Sequence, residues 1–310
     1  MIFFIVSSYS QYPLKSSIKY GLILADFFDK ISCMKKVGFK AKIMGAIMFI
    51  GMAMGLYGRL EGTFRSVFQD STESPVQVTK AISQSPHFAE RTLPVRHLVV
   101  HSFALPVDEM VARLNKLGVS THYLIDTNGN VTKMVPEDKV AWHAGVSFWR
   151  GSSGLNATSI GIELQNNTLG QTPFSDKQLM AFQILAQDLM YRHHIDPKNV
   201  VSHSDIAPAR KVDVGHAFPW QKMAALGIGV WPKGKTIEKE SKNVGELLRQ
   251  IGYDTTDEDK ALLAFERHFM PELIQKDMDI GHLEENLATK KPVRNPAVIR
   301  RLNEVAAEYK

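Results

Sequence analysis

Cysteine is nearly absent from the sequence, since Cys33 is the only one among 310 residues. A single cysteine excludes an intrachain disulfide framework and a thiolate-rich metal site. Any bound metal ion must therefore be held by histidine and carboxylate side chains. Also absent are internal repeats, low-complexity tracts and any stripe of lysine and arginine with interleaved aromatic residues. Nucleic acid is therefore not expected as a partner, whereas the net charge of +5 weakly favours an anionic one.

The sequence also lacks an apolar run of the roughly 20 residues that span a bilayer comfortably. Its clearest apolar run, residues 43–58, has 16 residues without a charge and follows the basic segment 34–42. This order is typical of an export signal. We interpret residues 1–58 as an N-terminal extension with an export signal, with translation starting at Met34. The signal is either cleaved near Gly55 or retained as a membrane anchor, and a buried hydrophobic helix is the alternative. Export predicts a location in the periplasm or cell envelope.

Beyond the polar stretch 59–83, which we interpret as a linker, residues 84–232 alternate between strand and helix patterns. A helix pattern ends at Gly118, and Asn128-Gly129 between two apolar runs is a strong hairpin signal. A capping box at Ser175 begins a helix that runs to about Arg192. The pattern predicts an α/β (α+β) fold with a mixed central β-sheet flanked by helices.

Residues 240–310 have a different, charged and helical character. One helix is predicted over residues 244–251, a second is predicted to be capped by Thr256, and a third follows Asn295-Pro296. We predict a small C-terminal all-α module. At about 70 residues it is too small to form much of a core unless it packs against its neighbour.

Two histidines and one aspartate form the first candidate site. His101 and His203 follow predicted strands, so both imidazoles project from one sheet edge if those strands lie close together. Asp213 comes after a turn at Pro208 and can fold back towards them. Two histidines and a carboxylate leave the fourth position of a zinc ion open for water, which is the catalytic arrangement. The alternative is that each histidine is an ordinary structural residue, since the chain has 11 of them.

Glu163 and Lys211 are the other ionisable candidates. Glu163 interrupts the apolar strand SIGIELQ, where burying a carboxylate without a partner is costly. It is either a general base beside a metal-bound water or a residue that faces solvent. Lys211 lies two residues before Asp213 and can stabilise an oxyanion there, or it is a solvated surface lysine.

Five motifs occur in order between residues 84 and 232. They are LVVHS with His101, HYLID at 122–126, WHAG at 142–145, LNATSIGIELQN at 155–166, and HSDIAPARKVDVG at 203–215 with FPW at 218–220. Together they resemble the family 2 N-acetylmuramoyl-L-alanine amidases, a zinc fold shared with phage amidase-lysozymes and peptidoglycan recognition proteins. In the C-terminal module, GELLRQIGYD and ALLAFERHFMP resemble the peptidoglycan-binding-like helical domain of exported, AmiD-type members.

The resemblance implies that zinc is the cofactor and that His101, His203 and Asp213 are its ligands. It implies Glu163 as the general base and Lys211 as the residue that stabilises the oxyanion. Four further residues would line or shape the substrate cleft: Trp142, His143, Ala144 and Asn156.

The resemblance also implies the reaction. It is hydrolysis of the amide bond between N-acetylmuramic acid, or its anhydro form, and L-alanine of peptidoglycan or muropeptides, in cell-wall turnover and recycling. We expect a monomer. A module that binds peptidoglycan without cutting it and a zinc carboxypeptidase acting within the stem peptide are the alternatives. The sequence departs from relatives at Val214 and His216, where proline is usual, and His216 is an alternative ligand.

Overall fold

The computed structural model describes residues 78–81, 85–234, 241, 243–274 and 290–310. All of them belong to one unit that extends from Thr72 to Lys310. The predicted export signal in residues 1–58 and most of the predicted linker 59–83 lie outside the described residues. Among the described residues, no helix is both long and apolar enough to cross a membrane.

A six-stranded mixed sheet forms the centre of the fold, which confirms the predicted fold class. In spatial order its strands are β1 (Val78–Ala81), β5 (Val131–Lys133), β4 (Tyr123–Ile125), β9 (Ser159–Gln165), β3 (His97–Phe103) and β10 (Val200–Ser202). Neighbouring strands are parallel except for β4 and β5, which form the antiparallel hairpin predicted at Asn128-Gly129. Two small antiparallel sheets join β2 (Phe88–Glu90) to β6 (Lys139–Ala141) and β7 (Phe148–Trp149) to β8 (Ser152–Ser153).

Helices cover both faces of this sheet. They are α1 (Val107–Leu117), α2 (Asp176–His193), α3 (His203–Ile206), α4 (Trp220–Ala225), α5 (Val244–Ile251), α6 (Glu258–Phe269) and α7 (Pro296–Glu308). Short 3-10 segments lie at Leu155–Thr158, Pro197–Asn199 and Pro271–Leu273. The segment 203–215, which contains His203 and Asp213, begins with one turn of helix, α3.

The predicted caps meet different outcomes. The Ser175 hydroxyl accepts from the backbone N–H of Gln178 at 3.1 Å, as predicted. The reciprocal half of the capping box does not form, because the Gln178 side chain donates to the carbonyls of Ile125 and Gln165 instead. The prediction of a cap at Thr256 is wrong by one residue. Asp257 caps α6 by accepting from the N–H of Lys260, because the Thr256 hydroxyl instead donates to Asp254 in the preceding turn.

Strand alternation decides which side chains reach the functional face. Leu98 and Val100 of β3 belong to the core that packs against α2, whereas Val99 belongs to the core on the other side of the sheet. Because successive side chains of a strand point to opposite faces, His101 shares the face of Val99. Glu163 lies beside His101 in the register of β9 with β3, so it shares this face too.

The C-terminal helices pack on that second face of the sheet. One hydrophobic cluster joins Val99 and Val201 of the sheet to Leu248 of α5, Phe265 of α6 and Leu302 of α7. All five side chains are essentially buried, and each contributes roughly 1.5–3 kcal/mol by leaving water. The module therefore shares a core with the sheet, as its small size requires.

Candidate metal centre and active-site cleft

The structure brings His101, His203 and Asp213 together as one group. His101 lies on β3, and β10 is its parallel neighbour, so His203 emerges beside it at the carboxyl edge of the sheet. The Nδ1 atoms of the two histidines are 2.9 Å apart, and Oδ2 of Asp213 lies 3.2 Å from Nδ1 of His101 and 3.1 Å from Nδ1 of His203. Three donor atoms so close together, from these residue types, can hold one metal ion.

The protonation of the group suits a metal ion. Burial, with the neighbouring His203 adding to it, lowers the pKa of His101 to about 4, so its imidazole is neutral near pH 7. Burial alone would raise the pKa of Asp213, but His203 and His101 outweigh it and hold that pKa well below its usual range. Metal ligation needs neutral imidazoles and an ionised carboxylate. The three atoms form a triangle small enough for an ion at roughly 2.0–2.2 Å from each. The residues present therefore fit a metal ion such as zinc.

Glu163 lies next to this group and is not neutralised by a partner. Its side chain is buried, and Oε2 has no hydrogen-bond partner among the described residues. Burial raises the pKa of Glu163 to about 8, and the negative charge of Asp213 adds to this rise while Lys211 opposes it. A buried carboxylate with a raised pKa in a cleft is typical of a functional group.

A cleft of about 480 Å³ opens above these residues. Lys211 lines it together with Glu163 and Asp213, and its positive charge is close enough to lower the pKa of both Glu163 and His101. The apolar part of its lining comes largely from α1 and the segment after it: Met110, Leu114, Leu117 and Val119. The cleft therefore has a charged floor and an apolar wall.

His143 contacts the ring nitrogen of His101 that does not belong to the metal-ligating group. Nε2 of His101 is 2.9 Å from Nδ1 of His143, and Nε2 of His143 is 3.2 Å from the Ser159 hydroxyl, which donates to the Leu155 carbonyl at 2.6 Å. Only one set of histidine tautomers satisfies this series of hydrogen bonds, and it places the proton of each imidazole on Nε2. Nδ1 of His101 therefore carries no proton and is free to bind a metal ion.

Comparison with known proteins decides the family. A model of the N-acetylmuramoyl-L-alanine amidase family matches residues 91–216. The chain is 38% identical to the N-acetylmuramoyl-L-alanine amidase AmiD of Escherichia coli over 216 residues, which are 60% of this chain and 78% of that protein. The chain belongs to the N-acetylmuramoyl-L-alanine amidase family. This confirms the resemblance seen in the sequence and makes the protein a hydrolase.

Solved structures agree with this assignment. E. coli AmiD in complex with anhydro-N-acetylmuramic acid-L-Ala-D-gamma-Glu-L-Lys superposes with a TM-score of 0.56 at 32% identity, covering 72% of this chain and 98% of that one. AmpDH3 of Pseudomonas aeruginosa in complex with anhydromuramic pentapeptide gives a TM-score of 0.53 at 29% identity, with coverages of 72% and 97%.

The four residues predicted to line or shape the cleft of this amidase occupy different positions. Trp142, His143 and Asn156 line the cleft, and Trp142 is 38% exposed. Ala144 is fully buried, and its N–H donates to Asn156 Oδ1 at 2.7 Å. Its carbonyl accepts from Nε2 of His203 at 3.3 Å, which leaves Nδ1 of His203 facing the metal group. Ala144 and Asn156 therefore shape the site, and substrate contact by any of the four stays a prediction.

Three supporting residues were not predicted from the sequence. Gly161 lies under His143, and a Cβ atom there would come within 2.6 Å of the imidazole. A glycine inside a buried strand signals such a close approach, so this one could have been found. His122 accepts from the Gly161 N–H at 3.0 Å and packs edge-on to His143. Arg210 donates to the carbonyls of Ala144 and Val146 at 2.5 and 2.6 Å, and only its place in the conspicuous segment 203–215 hinted at a role.

The two departures from the family pattern lie outside the metal group. Val214 is buried in the core on the α2 side of the sheet. His216 lines a different cavity, between α4 and α6, and among the described residues the metal-ligating group does not include it. The structure therefore gives no support to His216 as an alternative ligand.

Proposed function

We propose that this chain hydrolyses the amide bond between N-acetylmuramic acid, or its anhydro form, and L-alanine by means of zinc held by His101, His203 and Asp213. The observation that carries the proposal is the three donor atoms, all within 4.8 Å of one another, beside the buried Oε2 of Glu163, for which the described part of the chain supplies no hydrogen-bond partner. Two histidines and one carboxylate leave a coordination position for the reaction. The anhydromuropeptides bound by the two solved relatives support muropeptides, released in cell-wall turnover and recycling, as its substrates.

The chain's own residues divide the remaining work. Bound zinc would supply Lewis-acid chemistry, polarising the scissile carbonyl and making water nucleophilic near neutral pH. Glu163 would be ionised with zinc present, because the positive charge of the ion would lower its raised pKa. It accepts a proton from the attacking water and delivers it to the leaving nitrogen of L-alanine, as a general base and then a general acid. The ammonium of Lys211 stabilises the negative charge that develops on the carbonyl oxygen.

The walls of the cleft orient the substrate. Trp142 and Leu117 are partly exposed large apolar side chains at the cleft, with exposed fractions of 38% and 62%. They offer apolar surface to the muramic ring or the stem peptide. His143 and Ala144 act through the residues they hold, because they hydrogen-bond to His101 and His203. Oδ1 of Asn156 accepts from the N–H groups of His143 and Ala144 and so holds the loop backbone.

Mass analysis of digested muropeptides tests the proposal. An amidase releases the muramic or anhydromuramic sugar and a peptide with a free L-alanine amino group. A binding module releases nothing, and a carboxypeptidase shortens the stem peptide at its other end, so either result contradicts the proposal. Metal analysis of the same purified chain should find about one zinc per molecule.

We also propose that residues 34–58 direct export, so that the catalytic region lies in the periplasm or cell envelope. If the signal is retained, these residues anchor the protein in the inner membrane. The polar stretch after the apolar run supports this. A reporter that is active only outside the cytoplasm, fused downstream of Thr92, should be active. A reporter fusion that works only in the cytoplasm would exclude export.

The oligomeric state and the domain division are also part of the proposal. We propose a monomer, so light scattering should give the mass of one chain. The division into an amidase domain over 84–232 and a peptidoglycan-binding-like module over 240–310 remains part of this proposal.

A further inference from the structure

Asp205 is a buried carboxylate two residues beyond His203, and four donors converge on it. Its Oδ2 accepts from the N–H and the hydroxyl of Ser202 at 2.8 and 2.7 Å and from Nδ1 of His268 at 2.8 Å. Its Oδ1 accepts from the Tyr253 hydroxyl at 2.7 Å. Because the side chain has no exposure to solvent, these donors must replace the water that an ionised carboxylate requires.

Two of the four donors come from the C-terminal helices. Tyr253 follows the end of α5, and His268 lies on α6, 63 residues along the chain from Asp205. The His268 ring stacks on Trp220 and on Phe269, with ring centroids 4.0 Å apart in each pair. This stacking fixes the plane of the imidazole and keeps Nδ1 directed at Asp205.

The other two donors connect Asp205 to the backbone that carries His203. Ser202 and Asp205 form a reciprocal capping box at the start of α3, which sets the direction in which the chain leaves β10. The same turn is joined to the far end of the segment, because the Ser204 N–H donates to the Asp213 carbonyl at 2.7 Å. A shift of Asp205 would therefore displace both His203 and Asp213.

We propose that the C-terminal module positions the metal centre, with Tyr253 and His268 holding Asp205 and Asp205 holding the turn that presents His203. Tyr253 and His268 are positioning residues, since neither lines the cleft above the metal group. The inference rests on the zinc site of the proposed function but not on the reaction assigned to it. Under this proposal, the geometry of the metal site depends on residues of both the sheet and the C-terminal helices.

The test compares zinc affinity among full-length variants. His268→Phe keeps an aromatic ring on Trp220 and Phe269 but removes the donor, whereas His268→Asn keeps a donor near the position of Nδ1. Zinc affinity is measured by competition with a chromophoric chelator, and the visible absorption of the cobalt-loaded protein reports the coordination geometry. We expect His268→Phe to bind zinc about tenfold more weakly, the lower end of the range for outer partners of a metal site, with an altered cobalt spectrum. His268→Asn should recover most of the affinity.

Two tyrosines supply a matched control. Tyr253→Phe removes the single oxygen that contacts Asp205, and we expect it to weaken zinc binding severalfold. Tyr309→Phe also removes one hydroxyl from this module, but among the described contacts that hydroxyl makes no hydrogen bond to Asp205. We therefore expect Tyr309→Phe to keep wild-type zinc affinity. Because each tyrosine change deletes one atom, this pair decides the question even if His268→Phe fails to fold.

Separate outcomes judge the inference and the proposed function. If Tyr253→Phe and His268→Phe lower the melting temperature but keep wild-type zinc affinity and the wild-type cobalt spectrum, the contacts are merely structural and the inference is overturned. A wild-type chain that binds zinc without cutting muropeptides would overturn the proposed reaction and leave the inference standing. A wild-type chain that binds no zinc would overturn both.

Discussion

The partly exposed Glu137 and the buried Glu163 have opposite surroundings. Glu137 accepts from Arg192 at 2.7 and 3.0 Å, from His193 at 2.6 Å and from the Tyr123 hydroxyl. Burial alone would raise the pKa of Glu137, but the donors from His193, Arg192 and Tyr123 outweigh it and hold that pKa well below its usual range. Glu163, in contrast, has one oxygen that no described residue hydrogen-bonds, and its pKa is raised to about 8.

The difference separates a carboxylate that stabilises the fold from one that is kept for chemistry. A buried carboxylate surrounded by donors stabilises the native state, because its desolvation is compensated. A buried carboxylate without such donors costs stability and remains reactive, which a fold tolerates where the group has another task. Glu163→Gln and Glu137→Gln test this contrast, and Lys211→Ala tests the cation that opposes the rise in the pKa of Glu163.

The largest effect is expected for turnover after Glu163→Gln. Amide hydrolysis should fall by about 10²–10⁴, the usual size of a general acid–base contribution, while zinc content stays near wild type because a general base need not touch the metal. Metal content and muropeptide cleavage are measured on the same preparation. Glu137→Gln is the control and should keep its turnover. Near-normal activity, or loss of zinc, in Glu163→Gln would contradict the role given to this residue.

Lys211→Ala tests the charge on the floor of the cleft. We expect turnover to fall by about 10²–10³, as for the loss of an oxyanion donor, again with zinc retained. Lys211→Arg should rescue only part of the loss, because a planar guanidinium cannot take the position of a compact ammonium. Full activity in Lys211→Ala would show that this lysine is an ordinary solvated residue.

Glu137→Gln should have little effect on turnover but should lower the stability of the fold, the opposite of what is expected for Glu163→Gln. Removing the charge leaves Arg192 and His193 without their carboxylate partner. We expect a loss in the free energy of unfolding by urea at the lower end of the about 3–5 kcal/mol that breaking a buried ion pair costs, because both side chains of the Arg192 pair are partly exposed. Because the folded pKa of Glu137 lies below the usual value, its contribution is present above about pH 4.5 and is lost as the pH falls towards the folded pKa. The gap between wild type and variant should therefore narrow in acid. A gap that is constant with pH would exclude this electrostatic origin.

The smallest effect is expected for the stability of the metal-free protein. Because the folded pKa of Glu163 is raised to about 8, the folded chain retains a proton that the unfolded chain releases near pH 4.5. Wild-type stability should therefore decline as the pH rises from about 4.5 to 8. Glu163→Gln does not titrate, so after chelation its advantage over wild type in the free energy of unfolding should grow by about 1 kcal/mol between pH 5 and pH 6, where one pH unit is worth about 1.4 kcal/mol at most. Thermal unfolding of both proteins at pH 5 and pH 6 measures the difference, and an equal advantage of the variant at both pH values would contradict the explanation.

Much of the catalytic region could be predicted because its signals are local. The alternation within RHLVVHS and SIGIELQ places His101 and Glu163 on defined strand faces, and the cap at Ser175 needs only three consecutive residues after it. Thr256 shows the limit of such reasoning, because a hydroxyl and the carboxylate of Asp257 compete for one cap and the preceding turn at Asp254 decides between them. The roles of Glu163 and Lys211 themselves stay predictions.

The sequence by itself determined the family, the strand and helix order, and which residue types could bind a metal ion, because each depends on neighbours a few positions away. Only the tertiary structure decided how the metal group is held. His143 reaches His101 across 42 residues and His268 reaches Asp205 across 63. Such contacts depend on how β3, β10 and the C-terminal helices pack around a shared core. No local pattern encodes that packing, since buried apolar area has no direction of its own.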